Sequence, residues 1–197
     1  MIRRSLFPYK RSWISRSILS CQESSTTLPP IGANYSKNYP QIYKQSIENP
    51  NMFWDKAKEL LTWFTKPTQN LAGSFRNGDI RAFEQGKLNA CFNCVDRHLP
   101  IKANDIALIW EADDPTDGRS FTYEAVLLEV CKIANMMKSY GVRKGDVVTV
   151  YMTMTPEIVF TMLACARIGA VHSVVFAGFS AESLRKRLTD GNSRYVS

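Results

Sequence analysis

The stretch from Val147 to Ser197 constrains the fold more than any other part of this chain of 197 residues. It reads VVTVYMTMTPEIVFTMLACARIGAVHSVVFAGFSAESLRKRLTDGNSRYVS. Val147–Tyr151 and Val171–Phe176 are rich in β-branched and aromatic residues and predict strands. Between them Thr155-Pro156-Glu157 predicts a helix start, with a capping hydroxyl, proline at the first helical position and an acid in the first turn. The body of that helix, IVFTMLACARI, is apolar nearly all round and therefore predicts deep burial, and Gly169 ends it. A second helix follows, capped by Ser180 and closed by Gly191, with Arg185, Lys186 and Arg187 on a solvated face. A third strand starts at the end of the sequence. Alternation of strand and helix predicts a parallel sheet covered by helices. Ligands of such sheets gather at the carboxyl ends of the strands.

Upstream, Ile106–Trp110 predicts a short strand and Asp113–Gly118 a turn. Thr122 caps a helix running to Tyr140, with Leu127, Val130, Cys131, Ala134 and Met137 along one stripe and Gly141 just past its end. Residues 23–40 are polar and contain proline, glycine, serine and asparagine, which predicts a linker. Ile42–Ile47 and Asn51–Phe64 carry helical spacing, the second ended by Pro67. Aromatic-rich segments joined by turns such as Arg76–Asp79 fill the region up to Pro100.

The net charge of +7 belongs mostly to the leader. Residues 1–22 hold Arg3, Arg4, Lys10, Arg11 and Arg16 and no acid, and without them 20 basic and 18 acidic residues remain. With a near-neutral body and no recognition motif, no nucleic-acid partner is expected. An acid-free leader rich in Arg and Ser, with Leu6, Phe7, Trp13, Ile14, Ile18 and Leu19 interspersed, predicts a mitochondrial-type transit peptide over residues 1–30. The mitochondrial matrix is the expected location, with the cytoplasm as the alternative. No apolar run reaches the roughly 20 residues that span a bilayer, so no membrane span is expected. Cys21, Cys91, Cys94, Cys131 and Cys165 are odd in number and scattered, which fits a reducing compartment.

Several constellations could carry chemistry. Phe176-Ala177-Gly178-Phe179-Ser180 joins the end of a parallel strand to a helix start, where small residues admit a ligand close to the backbone and the helix start favours phosphate. Cys91-Phe92-Asn93-Cys94 is a C-x-x-C without a second ligand pair and reads as structural. Asp96, Arg97 and His98 read as a packing and hydrogen-bond knot rather than an acid–base set. His172, inside a strand and without a partner nucleophile, reads as a buried structural histidine. No G-x-x-x-x-G-K-[ST] loop is present.

The block TPEIVFTMLACARIGAVHSVVFAGFSAESLRKRL resembles the corresponding block of the acetyl-CoA synthetases, the acetate–CoA ligases of the acyl-adenylating (AMP-binding) superfamily. FWDKAKELLTWF (Phe53–Phe64), GKLNACFNCVDRHL (Gly86–Leu99), ALIWEADDP (Ala107–Pro115) and GVRKGDVVTVYM (Gly141–Met152) agree with it. The resemblance covers roughly residues 40–197 and departs from the family at Thr153, where proline is usual. It implies an α/β fold: a family-specific N-terminal extension over 38–100, then over 103–197 the first βα units of an adenylate-forming domain, truncated. It implies acetate, ATP and CoA as small-molecule substrates and Mg²⁺ as a cofactor whose ligands are absent here. It implies Phe176, Ala177 and Gly178 as CoA contacts, with the aromatic ring near the adenine, and places Cys91–His98 in a structural NCxDRH motif. The superfamily's Ser/Thr/Gly-rich phosphate loop, ribose-binding aspartate and C-terminal lysine are not found, so no catalytic residue is expected in this chain and it should not form an acyl-adenylate alone. The alternatives are a non-catalytic short product that binds CoA or associates with full-length ligase subunits, and a relative of the propionyl-CoA synthetase type.

Overall fold

The computed structural model describes residues 35–114 and 116–197. The predicted transit peptide falls outside them. The described residues form two units, divided between Asn49 and Pro50. The first contains α1 (Tyr35–Glu48), with the rings of Tyr39 and Tyr43 stacked at 6.0 Å. This corrects the linker expectation, which ran to residue 40. Pro40 lies inside the helix, near its start, where it forfeits one backbone hydrogen bond and the helical residues after it sustain the rest.

The second unit begins with α2 (Pro50–Lys58), which stops six residues before the expected end at Phe64. The reason is long-range. The indole of Trp63 donates to the Lys58 carbonyl at 2.9 Å, and the Asn93 side-chain amide pairs with both backbone groups of Thr62, at 2.8 and 2.9 Å. These bonds draw residues 60–64 into an irregular loop. A hairpin follows, β1 (Gln69–Ala72) antiparallel to β2 (Arg81–Glu84), with Leu71 opposite Ala82. Phe83 of β2 anchors it by packing its ring against Trp54 and Trp63, at 5.9 and 5.7 Å.

Short helices α3 (Ala90–Cys94) and α4 (Leu99–Lys102) flank a single 3-10 turn over Asp96–His98. A second antiparallel hairpin pairs β3 (Ile106–Trp110) with β4 (Arg119–Thr122). Thr122 then caps α5 (Tyr123–Ser139), its hydroxyl accepting from the Ala125 N–H at 3.2 Å. The buried stripe of α5 is Val126, Val130, Ala134 and Met137, with Leu127 and Cys131 half-buried beside it.

The expected parallel sheet is present. β5 (Val147–Met152) lies centrally, with β6 (Val171–Phe176) on one side and β7 (Tyr195–Val196) on the other. Val147 is level with Val171 and Met152 with Phe176, while Val148 faces Tyr195. Between β5 and β6 runs α6 (Pro156–Ile168), and between β6 and β7 runs α7 (Ala181–Asp190). Every residue of α6 except Glu157 is at least half-buried, as its composition demands. Its turn into β6 depends on Gly169 at φ 78°, a left-handed conformation that also leaves room for the Lys144 stem, which an added Cβ would meet at 2.9 Å.

Two local expectations are corrected. The Thr155 hydroxyl makes no capping bond to α6; it serves the Glu157 carboxylate instead. His172 is exposed, as are Val174 and Phe176 on the same face of β6, which the described residues leave uncovered. Gly191, by contrast, closes α7 as expected, in right-handed geometry with its N–H on the Arg187 carbonyl, and the left-handed residue beyond it is Asn192, φ 47°.

The core joins α5 and α6 to β5. Val126, Val130, Ala134, Met137, Val148, Phe160, Ala164 and Cys165 pack with Cys91 and Val95. Phe121 meets Phe160 edge to face at 5.3 Å.

Candidate functional site

β5 and β6 end level with one another, so their carboxyl ends form one edge. The turn expected to bind ligand lies there. Phe176 ends β6, the Phe179 N–H donates to the Phe176 carbonyl at 3.1 Å, and Ser180 caps α7 by accepting from the Ser183 N–H at 3.3 Å. Gly178 is required by close approach. A Cβ there would lie 2.6 Å from Cε1 of Phe176, so the ring rests on the bare backbone. The Phe176 ring is 59% exposed and meets Phe179 edge to face at 6.2 Å. The Arg187 guanidinium lies 4.7 Å from the Phe179 ring centre while donating to the Ser183 hydroxyl at 2.8 Å. Phe176, Ala177 and Gly178 thus form one exposed turn with an aromatic face, a cationic neighbour and a helix start beneath.

Two features of this edge were not read from the sequence. Tyr151, in β5, directs its hydroxyl to the carbonyls of Ala177 at 2.7 Å and Phe179 at 2.9 Å. On the other side, the Trp110 indole donates to the Met154 carbonyl at 2.8 Å and pins the loop after β5 to the β3–β4 hairpin. Arg119 stacks on Trp110 at 4.7 Å and lies 3.8 Å from Glu157 at the start of α6. The Glu157 carboxyl is held below the usual carboxylate range, first by the Thr155 hydroxyl and then by its own backbone N–H, with Arg119 adding to both. Both lie in segments that carry the family resemblance, Trp110 in Ala107–Pro115 and Tyr151 in Gly141–Met152, but nothing in those segments names the partners of the indole and the hydroxyl. Only the strand register shows which carbonyls they reach.

The C-x-x-C and Asp96-Arg97-His98 segments form the expected knot. Asn89 caps α3 by accepting from the Phe92 N–H at 3.0 Å. Its amide nitrogen reaches back to the last carbonyls of α6, Ala166 at 3.0 Å and Arg167 at 3.2 Å. Nη1 of Arg167 donates to both oxygens of Asp96, at 3.0 and 2.8 Å, and lies 3.7 Å from the Cys91 sulfur. Burial opposes the Arg167 charge, but the Asp96 carboxylate overcomes it and the guanidinium is held more firmly protonated than usual. Arg97 donates to the Leu60 carbonyl and to Asn93, and the His98 ring packs on Tyr123 at 5.3 Å. Among the described residues no three His, Cys, Asp or Glu side chains converge to hold a metal ion. No described helix is long and apolar enough to cross a membrane.

The thiols inside the core give a pH dependence. Burial pushes Cys165 from 9.0 up to about 11, and raises Cys91 and Cys131 as well. Unfolded thiols ionise near pH 9 while the native Cys165 stays protonated, so the unfolded state binds fewer protons and stability falls as pH rises. The loss is expected from about pH 9 to pH 11, at close to 1.4 kcal/mol per pH unit from Cys165 alone. Urea melts at pH 8, 9 and 10 check this; a midpoint that does not move would refute it.

Comparisons with known proteins give the family and the fold of the chain. The acetyl-coenzyme A synthetase N-terminus family matches residues 39–94, and the AMP-binding enzyme family matches residues 95–197. Acetyl-coenzyme A synthetase from Saccharophagus degradans is 52% identical over 163 residues, 82% of this chain and 25% of that protein. The enzyme of the same name from Dictyostelium discoideum is 48% identical over 161 residues, covering 81% of this chain and 24% of that one. Acetyl-coenzyme A synthetase 2 of Saccharomyces cerevisiae is 52% identical over 161 residues, with the same two coverages. The chain therefore spans about a quarter of the length of these relatives. In fold it is similar to acetoacetyl-CoA synthetase from Streptomyces lividans, with a TM-score of 0.71 at 21% identity over 80% of this chain and 24% of the other. The two family matches meet between Cys94 and Val95, inside the knot that Asn89, Asp96 and Arg167 build.

Proposed function

Since this chain belongs to the AMP-binding enzyme family, on its acetyl-coenzyme A synthetase branch, we propose that it serves the acetate–CoA ligase reaction and holds the CoA nucleotide at the turn after β6. In that reaction acetate attacks the α-phosphorus of ATP, giving acetyl-AMP and releasing pyrophosphate. The CoA sulfur then attacks the acetyl carbonyl, AMP leaves, and the thiol proton goes to solvent. The observation that carries the CoA assignment is the open Phe176 ring lying across Gly178, a flat apolar surface on which an adenine can stack. Ala177 adds only a methyl group beside it, and Arg187 supplies positive charge near the same turn. ATP and Mg²⁺ are the partners the family implies. No metal-ligand cluster converges among the described residues, and residues 1–197 carry no adenylating phosphate loop.

Calorimetric titration of CoA into the purified chain tests the assignment. The unsubstituted chain is expected to bind and Phe176→Ala to bind about tenfold more weakly, the size expected for one lost base–aromatic stack. Equal binding by both would overturn it. Acetate-dependent ATP–pyrophosphate exchange by the same chain is expected to be absent, and measurable exchange would place an ATP site within these residues.

For location, we propose the mitochondrial matrix, supported by the acid-free, Arg- and Ser-rich leader. A fluorescent reporter carrying residues 1–30 is expected to enter mitochondria. A diffuse cytosolic signal would reject this reading.

A further inference from the structure

The Tyr151 hydroxyl has one proton and two carbonyl acceptors, Ala177 at 2.7 Å and Phe179 at 2.9 Å. Tyr151 is level with Val175 in the neighbouring strand, so its ring reaches past the end of β6 to the turn beyond. All described peptide bonds are trans. In a trans peptide the N–H points opposite to the C=O of the preceding residue. Holding the Ala177 carbonyl therefore turns the Gly178 N–H away from Tyr151, and holding the Phe179 carbonyl does the same for Ser180. Neither N–H has a hydrogen-bond partner among the described residues. Both sit at the N-terminal side of α7, where backbone donors and the helix dipole favour an anion.

We infer that Tyr151 is a positioning residue for the coenzyme turn: by anchoring the carbonyls of Ala177 and Phe179, its phenol presents the Gly178 and Ser180 N–H groups to a phosphate oxygen of the nucleotide whose base stacks on Phe176. The inference rests on assigning that turn to CoA. It explains why a strand otherwise built of valine, threonine and methionine carries a tyrosine next to its end. It also divides the work within the turn, with the ring of Phe176 taking the base and two peptide N–H groups taking charge.

The test uses the whole chain labelled with ¹⁵N, with CoA as the probe, in three forms: unsubstituted, Tyr151→Phe and Phe176→Ala. Tyr151→Phe keeps the ring and removes only the anchoring proton. It is expected to weaken CoA binding about fivefold, the scale of one hydrogen-bonded positioning contact. At saturating CoA the Gly178 and Ser180 amide resonances should shift in the unsubstituted chain and shift much less in Tyr151→Phe. The Phe176 ring protons should still respond to CoA in that variant, a split that general destabilisation would not produce. Unchanged affinity in Tyr151→Phe, or amide resonances of Gly178 and Ser180 that do not respond to CoA in the unsubstituted chain, overturns the inference. If Phe176→Ala also binds like the unsubstituted chain, the CoA assignment falls with it. If Phe176→Ala weakens binding and Tyr151→Phe does not, only the positioning role falls.

Discussion

Asp96→Ala is expected to lower the unfolding free energy by about 4 kcal/mol, one of the two largest single losses anticipated in this chain. The carboxylate is the only acidic partner of the Arg167 guanidinium among the described residues, and both side chains are largely withdrawn from water, at 17% and 27% exposed. Removing it leaves a cation near the Cys91 sulfur with nothing to offset its desolvation. Asp96→Asn should cost less, because one acceptor oxygen survives. Pairing Asp96→Ala with Arg167→Met should recover much of the loss, since the uncompensated charge then disappears. Urea denaturation of the four proteins checks the series. A loss below about 1 kcal/mol in Asp96→Ala would mean that the pair behaves like an exposed one.

Phe160→Ala is expected to cost about 4 kcal/mol, from lost transfer energy and the cavity left in a close-packed core. Phe160 is 2% exposed and sits where α5, α6 and β5 converge, with Phe121 of β4 against its ring edge. Little can collapse into the gap, because its neighbours are fixed by strand pairing and by the capped ends of two helices. Thermal melts measure it, and Phe121→Ala alone and combined with Phe160→Ala isolates the ring–ring contribution, about 1 kcal/mol. If Phe160→Ala melts within a few degrees of the unsubstituted chain, the helix layer is not packed as described.

The two strongest sequence signals, the apolar helix α6 and the valine-rich strands on either side of it, fixed the parallel sheet and the place of its ligand edge. Residue type works there because α6 and the centre of β5 are buried, which selects apolar residues directly, while β6 is marked by its run of β-branched residues although only Val175 is buried. It fails where partners are remote. The end of α2 is set by Trp63 and Asn93, the second of them 31 residues away from the Thr62 backbone it holds. β1 and β2 do not alternate in the manner of strands. Their hairpin stands on one aromatic cluster, with Phe83 and Gln85 at positive φ, 52° and 58°, which no glycine announces. At the candidate site Phe176, Ala177 and Gly178 were legible because glycine and a strand-to-helix turn mark a close approach. Tyr151 was not, because a tyrosine in a strand is ordinary until the register shows its hydroxyl beneath two carbonyls. His172 was misread for a related reason: a residue type suggests burial, but the coverage of each sheet face decides it.

Asn89 has a chemical vulnerability that follows from its geometry. Its oxygen faces a backbone donor at the head of α3, and its nitrogen faces two carbonyls at the tail of α6. Of the common side chains at this length, only a neutral amide offers both polarities. Hydrolysis of that amide to a carboxylate would preserve the first contact and turn the second into repulsion between oxygens at the negative end of a buried helix. A carboxylate at this one position, as in Asn89→Asp, would thus loosen the clasp between the head of α3 and the tail of α6 while leaving the size of the side chain unchanged.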